Sequence, residues 1–139
     1  MSTKILDDVK VNVRIKLSAL WVTVMLCYIY GDFFSFFVPG HIETLNEGNM
    51  GIGPTTPFKL LMVSILMTIP AIMVFLSVAL KPAISRWINI IFGSIYTVIM
   101  IATILTTIDP WWIFYIFLGI IEMVITSLIV WYAWTWPKQ

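Results

Sequence analysis

The chain has 139 residues, 60% of them hydrophobic and only 11% charged, with a net charge of +1. Soluble domains run nearer roughly 45–50% apolar and about 25% charged, so a water-soluble globule is excluded. The near-neutral balance leaves no basic surface for nucleic acid, and a single cysteine, Cys27, excludes an internal disulfide and any chemistry built on a CxxC pair.

At the N-terminus, Leu6, Val9, Val13 and Leu17 recur every three to four residues, with Asp7, Asp8, Lys10 and Arg14 between them. Residues 1–16 are expected to form a short amphipathic helix on the cytoplasmic membrane surface, or else a frayed polar tail. No small-residue cleavage pattern follows, so the first apolar run reads as an uncleaved helix.

Four apolar runs then fill the chain, at 17–37, 58–80, 87–108 and 111–134. Each reaches or exceeds the about 20 residues a helix needs to cross a hydrocarbon layer of about 30 Å. The expected fold is all-α: one transmembrane domain, a polytopic membrane protein built as a four-helix up-down-up-down bundle. Residues 38–57 form the one long connection, an outer loop opened by the turn signal Pro39-Gly40. His41, Glu43 and Glu47 in that loop match no strong metal motif, and a solvated loop is the plainer reading.

Pro70 lies inside the second run, where it should kink the helix. Ser85 is expected as N-cap of the third helix, and Asp109 with Pro110 as the N-cap and first residue of the fourth. Seven basic residues, Lys4, Lys10, Arg14, Lys16, Lys81, Arg86 and Lys138, fall on one side of the runs and only Lys59 on the other. Short loops rich in Lys and Arg stay cytoplasmic, so both termini are expected inside, in a bacterial inner (plasma) membrane. Trp21, Trp87, Trp131, Trp134 and Trp136 fit the inner interface, and Trp111, Trp112 and Phe58 the outer one.

Polar and small residues recur at helical spacing in each run. Those in the second are Ser64, Thr68 and Ala71. The third carries Asn89, Gly93, Tyr96, Thr103 and Thr107, and the fourth carries Tyr115, Gly119, Glu122 and Thr126. Together with Tyr28 and Asp32 of the first, these faces are expected to turn toward one another, with Gly93 and Gly119 letting backbones approach. At 1.5 Å per residue, Asp32 lies about 7 Å below the outer boundary and Glu122 about 16 Å down, near the midplane. An ionisable group at such depth is a functional-site hypothesis. Neither acid has a basic residue at its level.

The candidate ligand- or proton-binding set is therefore Asp32, Glu122, Tyr28, Ser64, Thr68, Tyr96, Thr103 and Tyr115. A structural set comprises Pro39, Gly40, Pro70, Asn89, Gly93 and Gly119, with Asn89 capping or cross-linking helices. Ser-His-Asp, HExxH, P-loop and dinucleotide patterns are all missing from the sequence, so no catalytic residue, cofactor or metal is assigned. Three function classes stay open. The bundle binds or passes a small apolar or cationic ligand, a cation or a proton through an outward polar cavity. Or it is an accessory subunit of a larger membrane complex, or an enzyme acting on a quinone- or isoprenoid-like substrate. The bilayer is one partner, and a homo-oligomer is expected because one four-helix bundle is too narrow for an aqueous pore.

Several blocks carry a resemblance: Leu20-Trp21, residues 30–40 (YGDFFSFFVPG), residues 69–77 (IPAIMVFLS), residues 86–90 (RWINI), and Glu122 ahead of residues 131–134 (WYAW). Over nearly all of the chain after residue 16, it resembles a family of small bacterial four-span proteins of unknown function, loosely similar in size and topology to DoxX-like membrane proteins. Other members often place an acid just before the Ile-Pro pair, where this chain has Thr68. The resemblance implies the four-span fold and no activity.

Overall fold

A computed structural model describes residues 5–138. Its elements are α1 (Val13–Ser35), α2 (His41–Asn46), α3 (Pro57–Ala79), α4 (Pro82–Thr106), a 3-10 turn (Pro110–Trp112) and α5 (Ile113–Trp134). The four long helices, the last taken with its 3-10 turn, are long and apolar enough to cross a membrane. Among the described residues there is no strand, only an isolated bridge between Asn49 and Pro54.

Local chemistry sets the helix starts. Asn12 caps α1 by accepting the backbone N–H of Arg14 at 2.9 Å. Thr56 caps α3 by accepting from Lys59 at 3.1 Å, with Pro57 at the first helical position. Asp109 accepts the N–H of Trp111 at 2.8 Å and opens the 3-10 turn that leads into α5. The third long helix departs from expectation. It starts at Pro82, after Lys81, and Ser85 lies inside it. Proline's fixed φ suits the first helical position, so the helix begins before the apolar run does. Residues 5–12 carry no helix, and the rest of the N-terminal segment expected as amphipathic, residues 1–4, lies outside the described residues. The 38–57 connection contains the short helix α2, which Gly40 enters at φ 78°, a left-handed conformation that favours glycine.

Helix α5 packs on α4 and α1, α1 also packs on α3, and α3 touches α4 more lightly. Along α4 and α5, Arg86 meets Ala133, Thr97 meets Thr126, and Met100 lies beside Gly119. Numbers therefore rise on one helix as they fall on the other. A Cβ on Gly93 would sit 2.9 Å from Val130 Cγ2 and 3.2 Å from Ile129 Cγ2, so this crossing depends on glycine. Across α1 and α5, Lys16 lies over the Tyr132 ring while Gly31 packs on Tyr115. These contacts gather Lys10, Arg14, Lys16, Lys81, Arg86 and Lys138 at one end of the bundle.

Within the apolar core near that end, made by Leu17, Val24, Ile129 and Ala133, lies a hydrogen-bonded polar network. The Trp21 indole N–H of α1 donates to Asn89 Oδ1 of α4 at 2.8 Å, and Ser77 Oγ of α3 donates to the same oxygen at 3.2 Å. Asn89 Nδ2 donates back to the Ser85 carbonyl at 2.8 Å. An indole N–H only donates, so the amide oxygen must face it. Trp21, Ser77, Ser85 and Asn89 are all 0% exposed. Trp21, expected at the interface, is thus a core residue, drawn in by a partner for its N–H. Ser85 Oγ donates to the Ser77 carbonyl at 3.0 Å, and Arg86 Nε donates to the Ala133 carbonyl at 3.1 Å. Both acceptors are late carbonyls of a helix, which lack partners within it.

Pro70 adds one further cross-link. It has no N–H, so the carbonyl of Leu66, four residues back, loses its helical partner. The Tyr96 hydroxyl of α4 donates to that carbonyl, and α3 runs unbroken through the proline.

Candidate functional site

Glu122 stands nine residues into α5, about 14 Å along its axis. It is 4% exposed. No protein donor among the described residues reaches its carboxyl, and the charge that bears on it is that of another acid, Asp32. Among the described residues, no side-chain nitrogen or oxygen is both dry and unpartnered. The Glu122 carboxyl is therefore not sealed off completely.

Helix geometry brings the neighbours together. Tyr28 and Asp32 are four apart on α1, and Tyr115 is two turns before Glu122 on α5, so each pair shares a face. Tyr115 packs against α1 at Gly31, where a Cβ would lie 3.4 Å from its ring. Tyr28, Tyr115 and the Cys27 thiol all lie within electrostatic reach of Glu122, and Asp32 also bears on Tyr115. Tyr28 and Tyr115 are half-buried. The α1–α5 seam thus assembles two carboxyls and two phenols with no basic side chain among them.

Asp32 holds the exposed end of this seam, in the last turn of α1. Other expected members go elsewhere. Ser64, Thr68 and Ala71 are exposed on α3. The Ser64 hydroxyl donates to its own helix at Leu60 O (2.8 Å) and Thr68 to Ser64 O (2.7 Å). Satisfied within their own helix, they need no partner helix, and the α3 stripe does not turn inward. Thr103 is half-buried and donates to Ile99 O at 2.9 Å. Tyr96 is committed to the Leu66 carbonyl. Thr126, one helical turn beyond Glu122, is 0% exposed and bonded to Thr97 at 2.7 Å. His41 packs edge-on against Trp112, with ring centres 5.3 Å apart. No group of three His, Cys, Asp or Glu side chains among the described residues is placed to hold a metal ion.

The candidate site misses Cys27, one position from Tyr28 yet within reach of Glu122. No spacing rule singles out a lone cysteine in an apolar run. The clefts resolved on the surface, including an apolar one of about 370 Å³ lined by Phe34, Phe37, Val38, Trp111 and Phe114, are not lined by Glu122.

Four apolar helices around a core that holds a polar network and a nearly buried acid with no partner among the described residues define a small all-helical protein of membrane type. The chain belongs to the family described as "Family of unknown function (DUF6326)", whose model matches residues 4–139. No curated protein and no solved structure matches it.

Proposed function

We propose that this is a multi-pass membrane protein whose α1–α5 seam takes up a small positive charge, a proton or a cation, at Glu122. One observation carries the reading. A carboxyl buried near the middle of an apolar helix has no donor among the described residues, and the charge that bears on it is that of a second acid. Charge balance at such a place calls for a positive species from outside the chain. Asp32, exposed at the outer end of the same seam, is the entry group. Tyr28 and Tyr115 supply hydroxyls along the way.

The proposal includes the location in a bacterial plasma membrane with both termini cytoplasmic. It rests there on the gathering of basic side chains at one end of the bundle. It also includes a homo-oligomer, because the single bundle has no room for a water-filled pore. The looser likeness to DoxX-like proteins bears on size and topology and assigns no chemistry.

The test is Glu122→Gln, which keeps shape and removes the titratable oxygen. In proteoliposomes holding a pH-sensitive dye, the native protein takes up protons after an external acid step, and the variant does not while remaining folded and of the same oligomeric size. Sodium or potassium counterflow is the parallel assay for a cation. Native and variant proteins that behave alike at every pH defeat the proposal.

A further inference from the structure

The basic end of the bundle carries a second feature, separate from the α1–α5 seam. Three clefts converge there on Trp136 and Pro137, where the chain leaves α5. One of about 320 Å³ is lined by Lys10, Val11, Asn12 and Val13 with that pair. The next, about 370 Å³, adds Arg14 and Pro82, and a third of about 180 Å³ adds Arg86 and Lys138. Four cationic side chains thus line three clefts that share Trp136 and Pro137, and no acid among the described residues does. Asp7 and Asp8, the nearest acids in sequence, are exposed and line none of the three.

The placement points to a lipid. The rim lies where the apolar helices α1 and α5 meet the aqueous boundary, beside a tryptophan, the residue type that sits at headgroup level. Its walls are mixed. Val11, Val13 and Pro137 give an apolar side for a glycerol backbone, and Lys10, Arg14 and Lys138 give a charged side for a phosphate. Basic pockets among membrane helices recognise anionic headgroups in this way. We propose that the rim around Trp136 binds the phosphate of an anionic phospholipid of the adjoining leaflet, with Lys10, Arg14 and Lys138 reaching it from the three clefts that meet there. Arg86 is tied to the α5 carbonyls and shapes the rim.

The experiment titrates the purified full chain, in a neutral detergent, with dioctanoyl phosphatidylglycerol, dioctanoyl phosphatidylcholine or inorganic phosphate, and reads thermal stability. Phosphatidylglycerol should raise the melting temperature saturably, and the other two should not. Each basic group near a membrane surface is worth about fivefold in affinity, so K10Q/R14Q/K138Q should weaken the response on the order of a hundredfold. The charge-conserving K10R/R14K/K138R should retain it, which separates lost charge from lost folding. Equal responses to both lipids, or an undiminished response in the neutral triple variant, overturn the proposal. Inorganic phosphate matching phosphatidylglycerol overturns the lipid as the source.

Discussion

The bond between Trp21 and Asn89 gives the sharpest test of how this bundle is held. Asn89→Leu keeps the number and branching of side-chain heavy atoms and removes the amide. Ser77 Oγ keeps its second acceptor, the Met73 carbonyl at 2.7 Å, and the Ser85 carbonyl keeps its place in the α4 ladder. Only the Trp21 N–H, wholly buried, is left without a partner. An orphaned buried donor costs about 1–3 kcal/mol. Interhelical bonds in membranes average about 0.6 and reach about 1.7 kcal/mol, because the unfolded chain in lipid finds other partners. Asn89→Leu should therefore cost about 1–2 kcal/mol. Trp21→Phe removes the donor and part of a ring, at a similar cost from lost packing.

In the double variant no N–H is left to orphan, so the two losses should not add. The coupling should be about 1 kcal/mol, above the about 0.3–0.5 kcal/mol within which independent sites add. The measurement is reversible unfolding in mixed micelles, followed by circular dichroism across a dodecyl sulfate titration. Strict additivity would show that the indole N–H does not depend on Asn89, and the cross-bundle link through α4 would lose its energetic meaning.

Two further outcomes follow from the geometry. Tyr96→Phe should destabilise the native chain by about 1 kcal/mol, yet cost less than half as much in a Pro70→Ala background, where a restored N–H takes the Leu66 carbonyl; equal costs in both backgrounds refute the link, again by micelle unfolding. In a Cys27→Ser background, an impermeant maleimide on intact cells should label Glu47→Cys, and should label Lys138→Cys only after permeabilisation; the reverse pattern refutes cytoplasmic termini.

The long helices are legible because a bilayer demands length and apolarity, and the runs at 17–37 and 58–80 announce both. Asp109-Pro110 is equally plain, since a capping oxygen followed by proline has few other uses. Facing is harder to read. Polarity does not decide which side of α3 is buried, because Ser64, Thr68 and Ser77 all bond their own backbone, and only Ser77, on another stripe, also reaches Asn89. The start of α4 is hidden for the same kind of reason: apolar runs report membrane depth, whereas helices begin where caps and prolines allow. Glu122 stands out in sequence as an acid in an apolar run. Its lack of a donor depends on where Tyr28 and Tyr96 point, and Tyr96 is claimed by a carbonyl that only Pro70 sets free.

These placements divide the bundle by how its polar groups are bonded. Toward the basic end, Trp21, Ser77, Ser85 and Asn89 form a network in which each buried polar group has a partner. Such networks rigidify and specify one packing. Toward the other end, the α1–α5 seam holds Glu122, Asp32, Tyr28 and Tyr115 with no such satisfaction, and the α3 face at Ser64 and Thr68 is open. A binding group is most useful when its own bonds are unspent and its scaffold is fixed. Here the spent bonds lie at one end and the unspent carboxyl beyond them. The polar residues of the bundle therefore fall into two groups, a bonded network toward the basic end and the proposed seam beyond the Thr97–Thr126 bond.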